Sequence, residues 1–259
     1  WNAIFEKPPQ KNWSDVVVAI KSNHIFKQRA RSAVVSKICR ALTDVVGVKP
    51  ENIFIYDACH GDNMAQDTRF SGLPEGVHLA NTWGGYNAEV QVPAPYNGGD
   101  GTTVCLDHLV KDEVDILVDL ALCKGHNMPF GGFTMSMKNH FGTFNPRLGH
   151  QEDGSDYLIG INKTPHVLGK MDDKGRVKFP RQQLCLIDAL WGSEPGPGGT
   201  STHQLNRLYM GAMAPVLDYQ VATKLRMQQM GWRTNMRMAK KFLTEFGYSP
   251  NKLPNGGKI

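Results

Sequence analysis

Residues 15–57, DVVVAIKSNHIFKQRARSAVVSKICRALTDVVGVKPENIFIYD, decide the fold. The run DVVVAIK at residues 15–21 reads as a buried strand. Residues 29–46 fit an amphipathic helix, with Val34, Ile38, Ala41, Leu42 and Val45 on one face and Gly47 as its stop. Pro50 and Glu51 lead into a second strand over residues 52–56, which ends at Asp57. Strand, helix and strand in this order predict a parallel sheet joined by a right-handed crossover.

The same alternation continues outward. Residues 114–122 and 184–190 read as further buried strands, and residues 133–141 open a helix. Pro215 suits the first turn of a helix running to about residue 230. A last helix covers residues 236–246, with Ala239, Phe242, Leu243 and Phe246 at helical spacing and Gly247 ending it. Residues 60–103 are rich in Gly, Asn and Pro, with one candidate strand at residues 88–92; a stretch of that kind is functional or wraps the domain. The expected architecture is α/β, a mainly parallel sheet flanked by helices in a single large domain. Its boundaries are an extended arm at residues 1–14 (broken by Pro8 and Pro9), the α/β domain at 15–231, and a basic C-terminal helix and tail at 232–259.

Composition narrows the function classes. No apolar run reaches the roughly 18 residues that span a bilayer. No signal-peptide pattern opens the chain, which starts at Trp1; if an export signal preceded it the protein is periplasmic or extracellular, and otherwise cytoplasmic. The cysteines Cys39, Cys59, Cys105, Cys123 and Cys185 stand singly, with no C-x-x-C pair, so no self-contained iron–sulfur cluster or zinc ribbon is expected. From Lys224 onward eight basic residues face one acid, Glu245, so this part carries +7 of a total of +5 and the rest −2. That segment is either a solvated helix face or a docking surface for an acidic partner; nucleic acid is disfavoured because no recognition motif accompanies it.

Chemistry concentrates in residues 124–150, KGHNMPFGGFTMSMKNHFGTFNPRLGH, directly after the strand at 114–122. Lys21, Lys124 and Lys138 fall at or just past strand ends, where convergent ammoniums would hold a carboxylate or phosphate. Alone, each is more often a solvated surface lysine. His126 could move a proton, while His60, His140 and His150 are candidate ligands for a divalent metal or scaffold residues. The run Asp57-Ala58-Cys59-His60-Gly61-Asp62-Asn63 offers metal ligands or an Asx-stabilised turn. The loop at residues 192–199, GSEPGPGG, lacks the Gly-Lys-Ser/Thr of a phosphate loop and reads as a mobile flap. Neither G-x-G-x-x-G nor G-x-S-x-G occurs.

Several of these elements carry a resemblance. Val18-Ala19-Ile20-Lys21-Ser22-Asn23, the strand ending at Asp57, Lys124-x-His126 and Thr134-x-x-x-Lys138-Asn139-x-Phe141-Gly142 resemble the core of the domain-of-unknown-function family number 362. Ile187-Asp188-Ala189 and Gly211 followed by Ala214-Pro215-Val216-Leu217-Asp218 fit the same pattern, over about residues 15–226. Many members carry a ferredoxin-like segment and others an export signal; this chain lacks the cysteine motif, which counts against a self-contained redox role. A weaker likeness is to the N-terminal domain of nickel-pincer lactate racemases, through His126, Phe130-Gly131-Gly132-Phe133 and Lys138 in the same order. It implies a lysine that holds a pyridinium cofactor and histidines acting as acid/base and nickel ligand, with His150 downstream.

The reading that joins these observations is an uncharacterised protein binding a small anionic substrate or cofactor at strand ends. Lys21, Asn23, Asp57, Lys124 and Asn139 form the binding wall, and His126 and Lys138 move protons or serve a redox-associated step. The cofactor itself is unknown. The competing reading is a non-catalytic accessory subunit that docks onto a protein partner through its arm and basic tail.

Overall fold

The computed structural model describes residues 1, 3–24, 27–59, 70–82, 91–92, 101–102, 107–128, 131–144 and 155–254. A six-stranded sheet forms the centre, built from β1 (Val18–Lys21), β2 (Ile53–Asp57), β3 (His78–Asn81), β6 (Ile116–Leu122), β11 (Gln182–Gly192) and β12 (His203–Gly211) in the order β12-β11-β6-β1-β2-β3. Within this sheet the β11–β12 pair is antiparallel and the other pairs are parallel. Three small ribbons complete the strands: β4 (Gln91–Val92) with β5 (Gly101–Thr102), β7 (Lys124–Gly125) with β8 (Phe133–Thr134), and β9 (Gly169–Met171) with β10 (Val177–Pro180). The architecture is α/β with a mostly parallel sheet in a single domain.

Side-chain alternation along the strands separates two cores. On one face Val18, Ile20, Ile53, Ile55, Ile116, Val118, Leu120, Leu184 and Leu186 pack against helix α1 (Ser32–Arg40) through Val34, Val35, Ile38 and Cys39. That helix continues as wider π-helical turns over Ala41–Val46, and Gly47 ends it at φ 94°, a conformation glycine adopts without a Cβ clash. On the other face Ala19, Leu117, Ala121, Cys185, Ile187 and Ala189 meet helices α2 (Ser136–Asn139), α3 (Ser155–Asn162), α4 (Ala214–Gln220) and α5 (Met236–Glu245). Met238, Ala239, Phe242 and Leu243 of α5 belong to this core, so the basic helix presents an apolar face inward. The N-terminal arm also packs down: Phe5 is buried, and the Glu6 amide donates to Gln183 at 2.7 Å.

Local differences from the sequence reading have physical causes. The first strand starts at Val18 rather than at residue 15, because Trp13–Asp15 form a 3-10 turn and the Val17 amide donates to the Asp115 carboxylate. The segment 133–141 does not begin as a helix: Phe133 and Thr134 pair back onto Gly125 and Lys124, and the short helix α2 follows. Of the candidate strand at residues 88–92, only Gln91 and Val92 lie within the described residues. Helix α3, buried on nearly every side, and the exposed edge strand β12 were not legible as periodic elements. Among the described residues no helix is long and apolar enough to cross a membrane.

Leu120 lies at the middle of β6 with no exposed surface. Leu120→Ala is expected to lower stability by about 3 kcal/mol through lost burial and a residual cavity. In guanidinium unfolding this reads as a lower midpoint at unchanged slope.

Candidate functional site

The chain runs outward from β1 to β2 and β3, then returns to lay β6 on the opposite flank of β1. Reversal points of this kind open a crevice beyond the carboxyl ends of the strands, where α/β sheets hold ligands. Lys21 ends β1, Asp57 ends β2, and Lys124 follows the end of β6. Register also sets Tyr56, Lys21, Asp119 and Cys185 in one row across β2, β1, β6 and β11.

These residues form one buried network. Lys21 Nζ donates to Asp57 Oδ1 at 2.7 Å, to the Ser22 carbonyl at 2.5 Å and to Asn139 Oδ1 at 3.2 Å. Asn139 Nδ2 donates to Asp119 Oδ1 at 2.6 Å and to the Lys21 carbonyl at 3.1 Å, while its oxygen also accepts from Asn23 Nδ2 at 3.0 Å. Asn23 Oδ1 in turn accepts from Lys124 Nζ at 2.8 Å. Asp57 Oδ2 takes the His24 amide at 2.6 Å. Lys21 and Lys124 have no exposed surface, and Asn23, Asp57, Lys138 and Asn139 are buried.

Two features hold the network in place. A Cβ at Gly142 would run into Asp57 Oδ1 and the end of the Lys21 side chain, so only glycine lets that backbone close over the ion pair. Helix α2, which carries Lys138 and Asn139, is fixed at its start by Asp218, whose two oxygens accept the Ser136 and Met137 amides at 2.8 and 2.9 Å. Carboxyl oxygens at the first turn of a helix satisfy amides that have no partner inside the helix.

Burial and charge set the protonation states. Burial alone would raise the Asp57 carboxyl, but the Lys21 ammonium and the His24 amide outweigh it and hold it below the usual carboxylate range. Burial pushes the Lys124 ammonium down to about 8, opposed by Asp57 and reinforced by Lys21. Burial, with the charge of Lys124 beside it, pushes Lys138 down to about 7; its Nζ lies 5.1 Å from the centre of the Phe141 ring. Burial also lifts Asp119 to about 7, against the hydrogen bonds of Asn139 and Ser136, and Asp218 to about 8, against the two helix amides.

The structure therefore gathers Lys21, Asn23, Asp57, Lys124 and Asn139 in one hydrogen-bonded cluster, with Lys138 within electrostatic reach. His126 is half-buried and lines an open cleft with Asn127, Met128, Gly132, Glu194 and Arg233. His140 is buried with both ring nitrogens engaged, Nδ1 to Thr143 Oγ1 at 3.0 Å and Nε2 to Gln182 Oε1 at 2.6 Å, so its ring bridges a turn to β11. His60 and His150 lie outside the described residues. Among the described residues no three His, Cys, Asp or Glu side chains gather as metal ligands.

Sequence reasoning missed Asp119, His24 and Arg226, and touched Asp218 only as the end of a family motif. Asp119 had a legible signal, a lone carboxylate inside the apolar run ILVDLAL. Arg226 had none; it is fully buried, donates to the carbonyls of Ser193 and Gly132 at 3.1 Å, and lies 5.0 Å from the Trp232 ring. With Gln28, which donates to the Gly198 carbonyl and accepts from Ser193 Oγ, it pins the glycine–proline loop, so that loop is tied at several points.

A family model, Domain of unknown function (DUF362), matches residues 18–223, a span that contains the whole cluster. No curated protein and no solved structure matches the chain.

Removing one partner of a buried ion pair leaves the other charge uncompensated, so Asp57→Asn and Lys21→Met should each cost about 3–5 kcal/mol. The double variant is expected to lose far less than the sum of the two. Chemical unfolding of all four proteins measures the coupling, and simple additivity would show that the two charges do not act as a pair.

Proposed function

The chain belongs to the DUF362 family of domains of unknown function, and we propose that it binds the anionic group of a small substrate or cofactor beside Lys124 and Lys138, beyond the ends of β1 and β6. Lys124 carries this reading. Its ammonium is fully buried, yet its hydrogen bond goes to the neutral amide oxygen of Asn23. The ionised carboxylate close by, Asp57, is already bonded to Lys21, and Asp119 is held toward its neutral form. An ammonium taken out of water against a neutral acceptor is expensive, and a carboxylate, phosphate or similar oxyanion would offset that cost. The same positive surroundings favour an anion over a cation.

Lys138, brought to about 7, sits in the range where a side chain both gives and takes a proton near neutrality. In this reading Lys124 holds the charge of the ligand, Lys138 exchanges a proton with it, and His126 serves the cleft side. Calorimetric titration with acetate, sulfate and phosphate tests the idea, with Lys124→Met expected to abolish binding while leaving the fold intact. A protein that binds none of these anions, or a Lys124→Met variant that binds them as tightly, would count against it.

A pH dependence follows from the lowered lysines. The unfolded chain keeps each lysine protonated up to about 10.5, whereas the folded protein gives up the Lys138 proton near 7. The charged lysine therefore weakens the fold most below pH 7, and the penalty fades as the pH rises toward 10. Relative to wild type, Lys138→Met should be most stabilised at pH 6 to 7, with the difference in Tm shrinking toward about pH 10. A difference that stays constant over that range would contradict the assigned shift. Affinity for sulfate should fall over pH 7 to 8 as Lys138 and Lys124 lose their charges.

A further inference from the structure

His24 sits next to this cluster, yet neither the strand-end lysines nor the ion pair explains its ring. The residue is 1% exposed, and its backbone amide is bound by Asp57 Oδ2. Its ring Nε2 lies 2.8 Å from Ser22 Oγ, while the ring edge meets Phe70 at 5.0 Å between centroids. The other ring nitrogen, Nδ1, is buried and has no hydrogen-bond partner among the described residues.

Hydrogen-bond accounting assigns the tautomer. Ser22 is fully buried, and its hydroxyl has a single partner among the described residues, His24 Nε2. A buried hydroxyl donates its hydrogen where an acceptor is in reach. Nε2 is then the acceptor, and the imidazole proton resides on Nδ1. The ring is neutral: burial pushes it down to about 4, Asp57 opposing and Lys21, Arg29 and Lys124 adding to the effect. His24 thus presents a buried N–H donor among positive charges, and a buried donor left unmatched costs free energy.

We infer that His24 is a second ligand-contacting residue of the anion site, donating its Nδ1 hydrogen to an oxyanion oxygen while Lys124 supplies the charge. This rests on the anion-binding reading and narrows it. The ligand must present an acceptor oxygen, as carboxylates, sulfate and phosphate do. A halide could match the charge of Lys124 but is a weak partner for a directional N–H. With its proton in place and the cations of Lys21, Arg29 and Lys124 around it, this nitrogen is a poor ligand for a metal cation. Ser22 acts as a positioning residue, because its hydroxyl fixes the tautomer.

Amide side chains separate the two ring nitrogens. Asn places its NH2 near the position of Nδ1, and Gln near that of Nε2. Sulfate, which only accepts hydrogen bonds, is the probe, titrated calorimetrically into the full chain. His24→Asn is expected to keep sulfate affinity within a few-fold of wild type, whereas His24→Gln should lose at least about tenfold, the size of one hydrogen bond to a charged acceptor. Nitrogen NMR of wild-type protein supplies a readout that needs no variant: Nδ1 should carry the proton, and its resonance should move on adding sulfate. Equal loss in both variants, no loss in His24→Gln, or a proton found on Nε2 would overturn the assignment while leaving the anion site standing. Wild-type protein that binds no sulfate, acetate or phosphate would overturn both.

Discussion

The site depends on one buried ion pair. Lys21 and Asp57 end adjacent parallel strands, meet at 2.7 Å, and lie out of contact with water. Two charges in such a place are tolerable only if their remaining hydrogen-bonding capacity is used. The protein meets that demand with groups near and far in sequence: the adjacent Ser22 carbonyl, the His24 amide and the Asn139 side chain. Asn139 gives one hydrogen to Asp119 and one to the Lys21 carbonyl, so one amide joins helix α2 to β1 and β6. The requirement extends to the backbone at Gly142, which has no room for a side chain beside the pair.

Around this centre the protein distributes charge unevenly. Of these three buried carboxyls Asp57 is held ionised, while Asp119 and Asp218 are held toward their neutral forms by burial. Beyond the pair that Lys21 makes with Asp57, positive charge exceeds negative, which is the electrostatic basis of the proposed anion site. The neighbouring loop at residues 192–199 is held by Arg226 and Gln28 and lies against Gly125, where a Cβ would strike the carbonyl of Glu194. A glycine after Lys124 is therefore a packing requirement of the site's wall.

Much of this was legible in the chain. The apolar runs ending in Lys21, Asp57 and Leu122 are short and strongly patterned, and placing polar residues just past them marks strand ends as a place for chemistry. Legibility failed where the pattern does not depend on amphipathicity. Strand β12 is exposed along most of its length, and Asn206 at φ 54° breaks its alternation, so no period-2 signal survives. Helix α3 is buried nearly all round, which erases the contrast between faces. His140 attracted attention as a candidate ligand because imidazoles bind metals, but a count of histidines carries no information on whether both ring nitrogens are already occupied.

The sequence by itself determined that this is an α/β protein with a mostly parallel sheet and that Lys21, Asp57 and Lys124 fall at or just past strand ends, since alternation and strand termini are local properties. It also sufficed to reveal the family resemblance, because the motifs are local as well. The tertiary structure alone decided which side chains share a charge, that Asp119 and Asp218 hold Asn139 and the start of its helix, and that His24 lies beside them with one nitrogen accounted for. Those facts depend on strand register and on hydrogen bonds spanning up to 118 residues of chain. Desolvation and pairing act through space, and position along the chain does not encode them.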